Sequence, residues 1–495
     1  MRRGIQEAID AILVGIIAGG LAAPFLSTSV TWYVCAGVAV TDLISIAAFR
    51  KAISLRAMQT FVALQVVCAM VLYAHFFVAA QQAWVMRMWQ PRGTVALEGV
   101  VASPPESTDK VTRFLIAVSS PHVTRVSVVG DIHTLADIRY GDVVGVAGVA
   151  ETPQAYTAAK DPTLRAEFAF PRVSLLHHAD SFSYYARLLE LKTVFAHNIQ
   201  RSIPDPYASF GISLLMGKSG IPAELSQAMR LTGTTHLVAL SGFNISVMSV
   251  YLFSFLLWLR IHRKIALLLS GIIIIVFVIM MGAEASLVRA AVMGELVIVA
   301  GLLGRPYSFW RAVLCAACGM VVLNPVILIN DVGFQLSFLA TLGLALLLPI
   351  FDTRFGGGET VFDWKMNFFA TCASQIMVFP ILINTFGIFS PLSLVTNVLI
   401  LSVIPATMLV VFMVGLCGFV SSMFAAAIGL IASLLLGYEI GVIRLFSTIP
   451  LTLTFSAGFM APLFFVVYYI GLALLISRFW NVRYTIDTYH VSSTE

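Results

Sequence analysis

A chain of 495 residues in which 59% of the side chains are hydrophobic and 11% charged, with a mean hydropathy of +0.93, belongs to the membrane class and not to the soluble globular one. Its formal net charge of +5 says little about nucleic acid, because the placement of the charges follows membrane topology. All six cysteines (Cys35, Cys68, Cys315, Cys318, Cys372 and Cys417) fall within or beside apolar runs and none within residues 92–180, so no disulfide framework holds that region.

Apolar runs of about 20 residues, each enough to cross a ~30 Å hydrocarbon core as helix, recur down the chain. They predict a polytopic α-helical membrane protein of about 12 spans, at 8–27, 31–49, 58–80, 237–258, 265–281, 286–303, 311–328, 334–350, 366–385, 392–417, 423–446 and 456–477. The N-terminus has the outline of a signal peptide, with Arg2, Arg3, an apolar run and then Ala22 and Ala23. Glu7 and Asp10 interrupt that pattern and another full span follows at once, so retention is expected. With the N-terminus in the cytoplasm, Arg50, Lys51, Arg56, Arg260, Arg263, Lys264, Arg305, Arg311, Arg354 and Lys365 all fall on the cytoplasmic side. The short outer loops near 28–30, 282–285, 329–333, 386–391 and 447–455 contain neither Lys nor Arg, as the positive-inside rule requires. Both termini are then cytoplasmic and residues 92–236 lie outside. The resulting domains are N-terminal spans at 1–91, a β domain at 92–180, interfacial helices at 181–236, a helical bundle at 237–478 and a tail at 479–495.

Residues 92–180 change character. Alternating runs at Thr94–Val101, Arg113–Ser119, Thr124–Val129, Asp142–Ala150 and Arg165–Leu176, separated by turn residues such as Pro104-Pro105 and Gly141-Asp142, predict five short strands. That pattern suits a small extracytoplasmic all-β barrel, with an OB-like fold as the natural candidate. Single-strand binders of that fold use a basic groove and aromatic platforms. Here acids slightly outnumber basic residues and the aromatics are few (Phe114, Tyr140, Tyr156, Phe168, Phe170), so a structural or gating cap stands beside a binding surface. Residues 181–231 are more polar and broken by Pro204, Pro206 and Pro222. Their amphipathic run at Tyr184–Arg201 reads as a helix on the outer interface or over the bundle mouth.

The next stretch, TGTTHLVALSGFNISVM (Thr232–Met248), puts His236, Ser241, Gly242 and Asn244 at the mouth of an apolar span. Polar side chains cost free energy in lipid unless a partner or a wet cavity satisfies them. On an unbroken helix His236, Asn244 and Ser241 fall at roughly 0°, 80° and 140°, one face that would line a path or pocket.

Other motifs carry less chemistry. Gly211–Ser219 resembles a phosphate-binding loop but has five residues between its glycines where four are needed and no preceding buried strand. His236 and Ser241 lack the nearby acid that hydrolysis requires, and the nine histidines form no metal-binding pattern. Cys315-x-x-Cys318 has no His or carboxylate neighbours and reads as packing. No catalytic, cofactor or metal site is expected. Arg289, in EASLVRAAVMGE, sits inside a span, where an unpaired arginine costs roughly 2.5–3.5 kcal/mol near the centre. Pairing with Glu284 or Glu295, snorkelling to the interface, and presentation of a guanidinium to a passing phosphate all remain open. Asp331 and Gln335 are four residues apart, and Asp331 is placed to cap the span beginning near Phe334. Gln375, Pro380, Asn384, Asn397 and Pro405 add polar and helix-breaking residues to the following spans, a feature tolerated where helices line protein or water.

In order and spacing, THLVALSGFNISV, SLVRAAVMG, LNPVILINDVGFQLSFLATLG and QIMVFPILINTFGIFSPLSLVTNVLILSVIP resemble the competence domain of ComEC-type proteins, inner-membrane channels that admit single-stranded DNA during natural transformation. The resemblance covers roughly 207–405, and the external β domain after N-terminal spans is similar to the family layout. It implies that Arg289, Asn324, Asp331, Gln335 and Ser337 line a pore or hold the bundle together; His236, Ser241, Asn244, Gln375 and Asn397 join them as candidates from the polar pattern above. Two departures stand out. Asn244 occupies a position where the family usually has histidine, and no metallo-β-lactamase-like nuclease with its His-rich motif is recognisable in this chain. The resemblance therefore implies single-stranded DNA and membrane lipid as partners, a separate nuclease, a separate cytoplasmic ATPase motor, and leaves room for a homo-oligomer. A rival reading is a secondary transporter of a small or lipid-linked solute, whose signature is an internal repeat or a buried acidic coupling site. No repeat is visible, and Glu284, Glu295 and Glu439 are scattered. A membrane enzyme is disfavoured for want of an acid–base pair.

Overall fold

The structure, a computed structural model, describes residues 95–103, 105–108, 111–118, 124–131, 138–151, 164–178, 184–217, 220–239, 242–283, 285–302, 308–325, 327–355, 364–449, 451–455 and 462–479, with short helical pieces at 12–14, 16–17, 66–67, 69–71 and 73–74. The expected spans at 8–27, 31–49 and 58–80 lie outside the described residues apart from those pieces, as does the tail from 480 on. Two compact units form: residues 1–186 with 308–334, and residues 187–307 with 335–495.

In the first unit the alternating runs become one sheet of β1 (Val95–Val101), β2 (Glu106–Thr108), β3 (Val111–Val118), β4 (Thr124–Asp131), β5 (Val143–Gly148), β6 (Ala150–Glu151), β7 (Leu164–Ala169) and β8 (Arg172–His177). The strand β1 pairs antiparallel with both β3 and β5, setting Val100 opposite Ala117 and Leu97 opposite Val146. Next, β3 pairs antiparallel with β4, and β4 runs parallel to β7 with Val128 opposite Phe168. After one intervening residue β6 continues β5 and pairs with β7 at Ala150–Phe168. One strand pair thus touches both β1 and β7, and the sheet curls back on itself. Period-two alternation sends Phe114, Ile116, Val126, Val128, Val144, Val146 and Phe168 inward. The run at 165–176 is two strands instead of one: Phe170 takes φ 50° before Pro171, which ends β7 and releases β8 to pair with β5.

The same unit holds α7 (Phe309–Leu323) and the single turn α8 (Ile327–Asn330). There Cys318 donates to Leu13 O at 3.1 Å, a packing contact for half of the Cys-x-x-Cys pair.

The second unit contains α1 (Tyr184–Ser202, counted from Arg187), α2 (Tyr207–Met216), α3 (Ala223–Leu231), α4 (Gly242–Trp258), α5 (Arg263–Met280), α6 (Ala285–Leu302), α9 (Val332–Phe355, counted from Gln335), α10 (Trp364–Phe386), α11 (Ser393–Leu401), α12 (Ile404–Cys417), α13 (Ser422–Ser447) and α14 (Pro462–Phe479). Among the described residues four helices (α5, α9, α10 and α13) are long and apolar enough to cross a membrane, five if α11 and α12, bent by 51° at their junction, form one broken span. Two other expected crossings in this region fall on shorter apolar helices, α4 and α14, and that at 286–303 falls on α6 of 18 residues, so the expected count of about 12 is not reached among the described residues.

The amphipathic run at Tyr184–Arg201 is α1, and its apolar face is docked. Phe195 abuts Gly415 of α12, and Asn198 Nδ2 donates to Gly415 O at 3.3 Å. Gly211 of α2 packs on Val411 and Leu436, so the phosphate-loop lookalike begins as buried helix.

Proline at 380 inside α10 removes the N–H that would bond Ile376 O. The hydroxyl of Tyr468 on α14 supplies the missing donor to Ile376 O at 2.8 Å, and Tyr469 donates to Met377 O at 3.0 Å. Tyr468→Phe is expected to lower stability by about 1 kcal/mol, read as a lower unfolding temperature of the purified protein in detergent. An unchanged temperature would show that the carbonyl finds another donor.

Candidate functional site

The polar stretch starts where α3 stops. Thr234 N–H donates to Met229 O at 2.9 Å and Gly233 N–H to Arg230 O at 3.3 Å, a Schellman cap with Gly233 in the left-handed region at φ 69°. Thr232 and Thr234 are fully buried. The Thr232 hydroxyl donates to Ala228 O at 2.9 Å, which leaves Thr234 to donate to Thr232 at 2.9 Å. A 3-10 turn at Thr235–Leu237 follows, and α4 begins only at Gly242. The single face expected for His236, Ser241 and Asn244 needs an unbroken helix and therefore does not form. His236 is exposed with Nδ1 3.1 Å from Gly233 O, whereas Asn244 is buried and donates to Leu214 O at 3.0 Å. Leu214 O is one of the carbonyls that a helix end leaves open, so Asn244 ties α4 to the end of α2. Ser241 lies outside the described residues.

Against the Gly233 turn sits the start of α11. A Cβ on Gly233 would lie 2.7 Å from Ser393 Cβ. The amide of Gln375 on α10 donates to Ser393 Oγ at 2.6 Å, and Ser393 donates to Ser390 O at 2.6 Å. Thr396 Oγ1 lies 3.4 Å from Thr232 O and nearer to Leu392 O. Asn397 is one turn beyond Ser393 on the same face, buried, and its Oδ1, like Ser390 Oγ, has no partner among the described residues. Gln375 and Asn397 were legible as polar residues in spans. Gly233, Ser390, Ser393 and Thr396 were not singled out, although T-G-T-T and S-P-L-S-L-V-T-N are the only signal they leave.

At the other end of the segment lies Arg289. It is 7% exposed, donates from Nη1 to Ser337 O at 2.8 Å, and holds its guanidinium 5.4 Å from the Phe338 ring centre, within cation–π range. Ser286 and Ser337 meet hydroxyl to hydroxyl at 3.1 Å. Gly242 faces the guanidinium so closely that a Cβ there would be 3.0 Å from Nη2. Arg289 Nε has no partner among the described residues, and Arg289 takes no part in their ion pairs. Glu295 presses its carboxylate against Gly271 of α5 instead, while Glu284 lies outside the described residues. Gln335 is half-buried at the start of this stretch of α9.

Asn324 and Asp331 belong to the first unit. Asn324 is buried at the end of α7, its N–H bonded to Met320 O. Asp331 Oδ1 accepts from Phe334 N–H at 3.1 Å, an N-cap on α9.

A family model described as Competence protein matches residues 214–481, more than half of the chain and all of the second unit's polar clusters. ComE operon protein 3 of Bacillus subtilis (strain 168) is 28% identical over 179 residues, covering 36% of this chain and 22% of that protein. The aligned part of the chain thus spans about a fifth of the length of that curated relative. No solved structure matches.

Proposed function

We propose, because the chain belongs to the Competence protein family, that it is an inner-membrane channel through which single-stranded DNA passes into the cytoplasm during natural transformation. The observation that carries this reading is Arg289. A guanidinium 7% exposed, held by a carbonyl and a ring and without an acid among the described residues, is a cation awaiting an anion. Segments from α4, α6 and α9 converge on it, and the hydroxyls and amides around Gly233 are a second polar group in the same family segment. A polyanion crossing hydrocarbon needs such a polar path, one that binds phosphates without stalling them.

The β unit is read as an OB-like barrel outside the membrane, its parallel β4–β7 pair and recurved sheet supporting the likeness. In this reading the chain crosses about twelve times with both termini cytoplasmic, acts as a path and not a catalyst, and relies on a separate nuclease and ATPase motor. A second reading, transport of a small or lipid-linked solute, is favoured by the 51° break between α11 and α12, a hallmark of midplane binding sites.

The test is deletion of the gene in a transformable host offered fluorescent double-stranded DNA. DNA held at the surface, absent from the cytoplasm and readmitted by the restored wild-type gene is expected. Undiminished cytoplasmic DNA in the deletion strain would sink the uptake reading and put solute transport first.

A further inference from the structure

One buried acid takes no part in the clusters above. Glu439 lies in α13, an apolar helix of 26 residues, and is 0% exposed. Its Oε1 lies 2.6 Å from Thr407 Oγ1 on α12, and its Oε2 has no partner among the described residues. A bare carboxylate in such surroundings is costly unless a cation or donors compensate it.

The helices packed on α13 are α12, α3, α2 and α11. Their titratable or charged groups are Cys417 on α12, Tyr207 on α2, and Glu224 and Arg230 on α3, of which the last two are exposed; α11 has none. On α13 itself Arg444 and Tyr438 are exposed, and Tyr438 bonds to Leu399 O. Arg201 of α1 belongs to an element that meets α13 at Gly429, roughly three turns away. No cation is paired with Glu439 among the described residues.

Thr407 supplies what a cation does not. Its Oγ1 is 2.6 Å from the carboxylate and also 3.3 Å from Val403 O. A hydroxyl has one proton to give and lone pairs to receive. With Glu439 ionised, Thr407 donates to Oε1. When Oε1 gains a proton from water, the new O–H donates to Thr407, whose own proton turns to Val403 O. Both states are hydrogen-bonded with every heavy atom in place. Val403 is the residue that precedes α12 at the 51° break, so the proton's arrival is registered in the hydrogen bonding of the broken span.

The geometry points to Glu439 as a proton-exchange site, with Thr407 as its reversible partner and the α11–α12 break as the element that senses its charge. The site does not depend on whether DNA or a small solute passes, because its ligand is a proton taken from and returned to water.

The experiment is pH-difference infrared spectroscopy on the full chain in phosphatidylcholine vesicles, between about pH 4 and pH 10. A deuterium-sensitive carboxylic-acid C=O band that grows on acidification is expected in the wild type and is expected to vanish in Glu439→Gln. Thr407→Val keeps the acid and removes the hydroxyl; it is expected to move the midpoint by about one pH unit, a tenfold change in proton affinity. A wild-type and Glu439→Gln pair with identical titrating bands overturns the inference. So does a Glu439 band that is constant across the range, or a Thr407→Val titration superimposable on the wild type. The last comparison holds even if Glu439→Gln does not fold. DNA uptake is not read, so failure here leaves the channel reading to its own test.

Discussion

Arg289→Met is expected to raise the protein's stability by about 1–3 kcal/mol and to cut DNA uptake at least tenfold. The two effects have one cause. Burying a guanidinium without an acid leaves its desolvation only partly offset by the Ser337 carbonyl at 2.8 Å and the Phe338 ring at 5.4 Å. An apolar side chain of similar length fills the same space without that cost. Truncating one partner of a desolvated, hydrogen-bonded charge pair costs about 2–5 kcal/mol, and each ~1.4 kcal/mol is tenfold in rate or affinity. Arg289→Lys keeps the charge but loses the planar fork, and an intermediate uptake is expected. Unfolding temperature in detergent and cytoplasmic fluorescence in the complemented strain read the two quantities separately. Wild-type uptake by Arg289→Met would remove Arg289 from the path. A less stable Arg289→Met would show that Arg289 serves the framework of α4, α6 and α9.

Gly233→Ala is expected to cost about 2–4 kcal/mol. At φ 69° an alanine pays roughly 1 kcal/mol in backbone strain. Its methyl would also stand 2.7 Å from Ser393 Cβ, an overlap worth a further 1–3 kcal/mol or so. Relief requires Ser393 to shift from its contact with Gln375, now 2.6 Å away, which unseats the start of α11. Gly220 provides the control. It has φ 64°, and a Cβ there would meet nothing within 4 Å, so Gly220→Ala is expected to show the backbone cost of about 1 kcal/mol alone. Thermal unfolding of the two variants side by side decides the matter. Equal losses would mean that the Gly233 turn does not bear on Ser393.

These contrasts show where sequence reasoning succeeds and stops. Strand alternation was legible because burial of Ile116, Val128 and Val146 follows a local period. The split at Phe170-Pro171 was missed because a single left-handed residue, not a long polar gap, redirects the chain. Asp331 as a helix cap was legible from its neighbours. The common face of His236 and Asn244 was not realised, since the Gly233 cap and the 3-10 turn end one helix before the next begins. Pairing of Arg289 with Glu284 or Glu295, snorkelling and presentation to a phosphate were all open from sequence, and none of them points to the backbone carbonyl 48 residues away that receives its hydrogen bond. Likewise the approach of Gly233 to Ser393 joins distant segments, and no local pattern encodes it. The family likeness picked out segments of the chain, while the tertiary structure says which of them touch.

The last helix has a bearing on how the protein can be handled. Its two adjacent tyrosines act as a splint on the α10 proline, lending hydroxyls to Ile376 O and Met377 O. A version trimmed before Pro462 would strip both donors at once and leave Ile376 O, which Pro380 already deprives of its helical partner, without a hydrogen bond. Trimming for crystallisation or fusion therefore belongs beyond Phe479. Conversely, the two positions are coupled chemically: an N–H at 380 would supply the donor that Tyr468 now gives to Ile376 O.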